Sequence, residues 1–113
     1  MPYTADQPTS VPAAVAAVLD AVNRGDTDAF LAAFSVDGTV DDNGRTFRGA
    51  HAIRLWSDTE FIGLGGRIDV HSARTTSTGA TVDATFTSSG FNGFSRFEFD
   101  TAAGEVIALR IRA

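Results

Sequence analysis

From residue 66 to the end of the chain, apolar side chains recur at every second position. Ile68 and Val70 alternate with Arg67, Asp69 and His71; Val82, Ala84 and Phe86 alternate with Asp83, Thr85 and Thr87. Phe97 and Phe99 alternate with Arg96, Glu98 and Asp100; Ile107, Leu109 and Ile111 alternate with Arg110 and Arg112. A period of two puts one face of each segment on a core and the other in water, which is the signature of half-buried strands. Ser77-Thr78-Gly79, Ser88-Ser89-Gly90 and Ala102-Ala103-Gly104 separate them as turns. Four consecutive strands with short turns predict an antiparallel meander.

The first half has a different period. Val15, Val18, Leu19 and Val22 fall at i, i+3, i+4 and i+7, one stripe of a helix. Ser10 and Pro12 mark its start, and Arg24 with Gly25 closes it. Asp26 is placed to cap a second helix, whose inner face is Ala29, Phe30, Ala33 and Phe34 and which ends at the Asp37-Gly38 turn. Thr39–Asp42 and Arg45–Arg48 read as a hairpin, because Asn43-Gly44 suits a two-residue turn in which both central residues have positive φ. A third helix over about residues 50–60 carries Ile53 and Trp56 on one face. Gly63-Leu64-Gly65-Gly66 then makes a sharp turn into the sheet. Residues 1–9 read as a polar tail, and residues 10–113 as a single α+β domain with its helices on one face of a sheet.

Composition excludes several functions. The net charge is −5, and the nine basic residues, all Arg, are scattered singly. A phosphate-binding surface needs clustered cations, so neither nucleic acid nor an anionic membrane is expected as a partner. No cysteine and two isolated histidines leave no metal-ligand spacing, and no Gly-rich phosphate cradle or nucleophile elbow is present. No metal and no cofactor are expected. With no leader or membrane span read near the N-terminus, the expected location is cytoplasmic.

Three segments carry a family resemblance. Residues 23–30 (NRGDTDAF), residues 34–42 (FSVDGTVDD) and residues 44–49 (GRTFRG), followed by Ile53 and Trp56, resemble the nuclear-transport-factor-2-like superfamily. This superfamily contains the SnoaL-like and ketosteroid-isomerase-like proteins, and the resemblance covers about residues 11–112. It implies a cone: three helices in the concave face of a curved, mixed, mostly antiparallel sheet, in the order α-α-β-β-α-β-β-β-β. It also implies an apolar pocket at the open end, drawing with its adjoining core on Val18, Val22, Phe34, Phe47, Trp56, Ile68, Phe86, Phe97 and Leu109. Whether these side chains fill the cone or leave room for a small hydrophobic molecule is open at this level.

The resemblance further implies a candidate base. Asp42 ends the first strand where the isomerase branch carries its general base, while an Asp beside an Asn-Gly turn is also common for local hydrogen bonding. Asp41, its strand neighbour, should face the other way. That branch also uses a helix Tyr and a late-strand Asp as hydrogen-bond donors. Here those positions hold Val18 and Ser95, and a serine hydroxyl is a weaker polar contact. His51, at the start of the third helix, is a secondary candidate, a solvated helix-end residue being the favoured reading. His71 should face outward. The outer sheet face, with Phe94 among Arg96, Glu98, Arg110 and Arg112, is the expected homodimer surface. The expected function is therefore a small-molecule pocket, with isomerase-, cyclase- or dehydratase-like proton transfer through Asp42. The alternative is a non-catalytic ligand-binding or dimerisation module.

Overall fold

The computed structural model describes residues 11–113; the expected tail and the Ser10 start signal lie outside the described residues. Helix α1 spans Ala13–Arg24 and buries Val15, Val18, Leu19 and Val22, the stripe read from its spacing. Gly25 closes it at φ 69°, and the next amide, of Asp26, bonds back to the Ala21 carbonyl. This paired closure satisfies carbonyls that the helix end leaves free. Asp26 then caps α2 (Thr27–Ala32) by accepting a bond from the Ala29 amide at 3.0 Å.

Strand β1 runs Phe34–Asp42 and pairs with β2 (Arg45–Arg48) across an Asn43-Gly44 turn whose φ values are 50° and 97°. Helix α3 is Gly49–Glu60, and a single 3-10 turn, Ile62–Leu64, leads into β3 (Arg67–Thr75). A Cβ on Gly63 would lie 1.6 Å from the Asp58 carbonyl oxygen, so this tight turn requires glycine. Strands β4 (Gly79–Thr87), β5 (Gly93–Ala102) and β6 (Glu105–Arg112) complete one six-stranded sheet in the order β2-β1-β6-β5-β4-β3. Every pairing is antiparallel except β1 with β6, which is parallel. The three helices and the mixed sheet reproduce the element order expected from the sequence.

Two local expectations are corrected. Phe34 belongs to β1 rather than to the inner face of α2, and the strand begins five residues before Thr39. The Val106 amide bonds to the Ala33 carbonyl at 2.9 Å, and Phe34 pairs with Val106, so the sheet captures the chain at the end of the short helix. Asp37-Gly38 then lies within β1, where a register shift between Phe34 and Thr39 absorbs it. Ile107 is exposed, while Val106 and Leu109 are buried. Thr101 pairs with Val106 and Asp100 with Ala108, so Ile107 is the extra residue of a bulge that the simple alternation could not register.

Side chains from α1, α2, α3 and the inner sheet face merge into one core, with Phe30, Phe97, Phe99, Ile53 and Ile68 among its largest members. Asn23 ties the helices to the edge strand β3. Its amide accepts from the Ile68 N–H at 2.7 Å and donates to the Ile68 carbonyl at 2.9 Å, replacing a missing strand partner. The outer face is a charged lattice. Arg96 pairs with Asp83, Arg110 with Glu98 and Asp100, and Arg112 with Asp41. The hydrogen bond from each arginine holds Asp83, Asp100 and Asp41 below the usual carboxylate range.

Two predictions follow from this framework. Ala103 sits in the β5–β6 turn at φ 52°, a region that favours asparagine or glycine. Ala103→Asn should stabilise the fold by about 1 kcal/mol and raise the thermal midpoint by about 4 °C. An unchanged or lower midpoint would contradict the turn assignment. Secondly, the three depressed aspartates bind protons more readily when unfolded. Their contribution is therefore complete above the ordinary aspartate value of 3.8 and disappears as pH falls through the lower folded values. The urea midpoint should accordingly drop between about pH 5 and about pH 2; a flat profile across that span would show that the outer ion pairs do not contribute to folding.

Candidate functional site

The turn of the β1–β2 hairpin, the end of α3, the β4–β5 loop and the last residues of β6 frame one end of the cone. A cavity of about 500 Å³ opens there. Its walls are largely apolar: Trp56, Phe61, Leu64, Phe86, Phe91, Phe97 and Ile111. Its polar positions are Asp42, Asn43, Arg45, Glu60 and Ser95.

One aromatic wall has a continuous structure. Phe47 stacks on Trp56 at 5.9 Å between centroids, Trp56 on Phe61 at 4.7 Å, and Phe61 on Phe86 at 5.2 Å. Such offset stacks join hairpin, helix and sheet through contacts with preferred ring geometry. On the opposite rim, the Ser89 amide bonds to the Leu64 carbonyl at 2.9 Å. Within the same loop, the Ser88 amide donates to Asn92 Oδ1 and the Ser88 hydroxyl donates to the Phe91 carbonyl. The loop bearing the half-exposed Phe91 is thereby braced against the 3-10 turn.

Asp42 is the inward carboxylate of this end. Its side chain is 19% exposed. Oδ2 accepts the Trp56 indole N–H at 3.1 Å and an Arg45 N–H at 2.6 Å. Oδ1 meets Asn43 Nδ2 at 3.5 Å, at the limit of a hydrogen bond. Arg45 also forks onto both oxygens of Glu60, at 2.6 and 3.0 Å. This fork holds Glu60 below its usual carboxylate range and raises Arg45. Asp41 turns to the other face, where it accepts from Arg112 and from the Gly44 amide, as strand alternation requires. The arrangement presents one carboxylate oxygen, with its partner oxygen fixed by two donors, at the rim of an aromatic hollow.

The positions singled out in the sequence divide into three groups. Asp42, Ser95, Trp56, Phe86 and Phe97 line the cavity together. Val18, Val22, Phe34, Ile68 and Leu109 are buried in the core that supports it, outside the lining; Phe47 is half-buried behind Trp56. His51 is exposed near the start of α3 and is not part of the lining. Ser95 is 2% exposed and shares the inward face of β5 with Phe97. Among the described residues, the fully buried hydroxyl without a hydrogen-bond partner is that of Ser57 in α3. His71 faces outward, its ring nitrogen 2.8 Å from the Thr85 hydroxyl.

Glu60, Phe61, Leu64 and Phe91 were not foreseen as lining residues. Glu60 lies four residues after Trp56, so the same helical spacing that marks Trp56 also aims Glu60 at the rim. Phe61 and Leu64 are set by the 3-10 turn and Phe91 by a loop, neither of which has a sequence period. Among the described residues, no group of three or more His, Cys, Asp or Glu side chains is arranged to hold a metal ion, and no helix is long and apolar enough to cross a membrane.

No family model matches the chain, and no curated protein does. Many solved structures share its fold. A Sinorhizobium meliloti protein, provisionally described as a polyketide cyclase, is 24% identical and superposes with a TM-score of 0.81 over 90% of this chain and 95% of its own. A Catenulispora acidiphila protein with a ketosteroid-isomerase-like fold, solved in complex with trimethylamine, is 20% identical, with a TM-score of 0.76 over 92% and 86%. A Cytophaga hutchinsonii NTF2-like protein of unknown function is 12% identical, with a TM-score of 0.76 over 88% and 85%. At these identities the likeness extends to the fold.

Proposed function

Given that this chain has the nuclear-transport-factor-2-like fold, we propose that its cone binds a small, largely apolar molecule and holds the ligand's polar end at Asp42. The observation that carries this reading is the inward carboxylate at the rim of an aromatic cavity of about 500 Å³. That volume falls in the range of small-molecule sites, and the ratio of many apolar walls to few polar groups is typical of them. The chemistry proposed is cofactor-independent proton transfer of the isomerase or cyclase type. Oδ1 of Asp42 would take a proton from an acidic C–H, while Trp56 and Arg45 keep Oδ2 in place. The polyketide cyclase and ketosteroid-isomerase-like descriptions of structural neighbours agree with this class.

A second reading, binding without turnover, is favoured by one specific feature. The positions where the resembling isomerases place their two enolate donors hold Val18, buried in the core, and Ser95, a single hydroxyl. Deuterium exchange distinguishes the readings. In D₂O, a small apolar ketone such as 4-phenylbutan-2-one should lose its α-protons faster with the protein than in buffer. Asp42→Asn should slow that exchange by roughly 10²–10⁴-fold while ketone binding, followed by Trp56 fluorescence, persists. Equal exchange rates in the two proteins would remove Asp42 from any mechanism. Binding with no acceleration would establish the second reading.

We also propose a homodimer through the outer sheet face. Phe94 is 54% exposed there, on the same face of β5 as Arg96 and Glu98, whose ion pairs with Asp83 and Arg110 cover the neighbouring surface. Light scattering should give twice the chain mass, and Phe94→Glu should shift the protein to monomer. Monomer at all concentrations in the unmodified protein would contradict the assignment.

A further inference from the structure

The mouth of the cavity carries more negative than positive charge. Its ionisable lining side chains are Asp42, Arg45 and Glu60, one cation between two carboxylates. The arginine is already engaged by both: it forks onto Glu60 and also bonds Asp42 Oδ2. An anionic ligand could use Arg45 only by breaking the Glu60 pair, and it would then lie against Asp42. Both Glu60 oxygens are occupied by the arginine, but Asp42 Oδ1 receives no more than the 3.5 Å approach of Asn43. It is the acceptor with spare capacity, and it stands at the rim of an apolar hollow where its attraction is screened less than on an open surface. The net charge of −5 on the whole chain adds a long-range field of the same sign. Ser95 of β5 adds a neutral polar position to the same lining.

We infer that the preferred ligands of this pocket are cations: amines or quaternary ammonium compounds with an apolar, ring-sized body. The body occupies the hollow between Phe86, Phe97 and Ile111, and the ammonium rests at the mouth beside Asp42 Oδ1. Coulomb attraction, rather than ring faces, carries the preference, because Phe47 and Phe61 both stack on Trp56. This inference rests on the pocket reading above and not on turnover. An ammonium at Oδ1 occupies the atom that proton abstraction needs, so such a ligand is held rather than converted and competes with any ketone.

Three probes with the same phenylpropyl body test this: 3-phenylpropylammonium, 3-phenylpropan-1-ol and 3-phenylpropanoate, titrated by calorimetry and Trp56 fluorescence at low salt. The ammonium should bind roughly tenfold tighter than the alcohol, and the carboxylate should bind weakest. Salt should reduce the difference. Asp42→Asn should abolish the preference for the ammonium over the alcohol. Glu60→Gln, which leaves one cation and one carboxylate among the lining side chains, should do the same and keeps the test available if the first variant fails to fold. Equal affinity for ammonium and alcohol, or tightest binding of the carboxylate, overturns the inference and leaves the pocket reading standing. Failure of all three probes to bind overturns both.

Discussion

The parallel pairing of β1 with β6 is the contact that assembles the candidate site. It places Val40 beside Leu109 and Asp42 beside Ile111, and the Asn43 amide closes the end of the ladder on the Ile111 carbonyl at 3.0 Å. The tip of the first hairpin is thereby carried to the end of the last strand, across about seventy residues of sequence. Without that pairing, Asp42 would be one more acidic residue beside a turn. With it, the carboxylate shares one cavity lining with Phe91 of the β4–β5 loop and with Ser95 and Phe97 of β5.

Packing then converts position into a hollow. The indole of Trp56 is 3% exposed yet serves two neighbours at once: its rings continue the stack from Phe47 to Phe61, and its N–H fixes Asp42. A buried indole N–H needs an acceptor, and a carboxylate at the rim supplies one. Arg45 and Glu60 complete the rim by joining the hairpin to the end of α3. Both are about half-exposed, so this pair contributes more to geometry than to stability. The cavity and its acid are in this sense products of the same few contacts.

Much of the fold was legible because it depends on local signals. The stripe Val15, Val18, Leu19, Val22 and the cap at Asp26 were visible as spacing and residue type. The Asn43-Gly44 turn and the inward set Phe97, Phe99 were equally visible. The failures share one cause. Phe34 reads as helical and Ile107 as core from spacing alone, because their true placement depends on register shifts set by distant strands. Periodicity carries no record of a bulge. At the site, Asp42, Trp56 and Ser95 could be named from strand ends, helix faces and the family resemblance. Phe91 and Leu64 could not, since a loop and a 3-10 turn place them. The partnership of Arg45 with Glu60 depends on how the hairpin packs on α3, which no local spacing encodes, although Trp56 and Glu60 share a helix face by their spacing.

The proposed reading makes the open end of the cone a hollow receptor with the Asp42 carboxylate at its rim. Its most direct measurement is a crystal soaked with a brominated phenylpropanol and read by the anomalous signal of bromine. A bromine peak is expected between Phe86, Phe97 and Ile111, with the hydroxyl directed toward Asp42 Oδ1. A bromine found elsewhere on the molecule, or an interior closed by side chains with Asp42 turned to solvent, would contradict it.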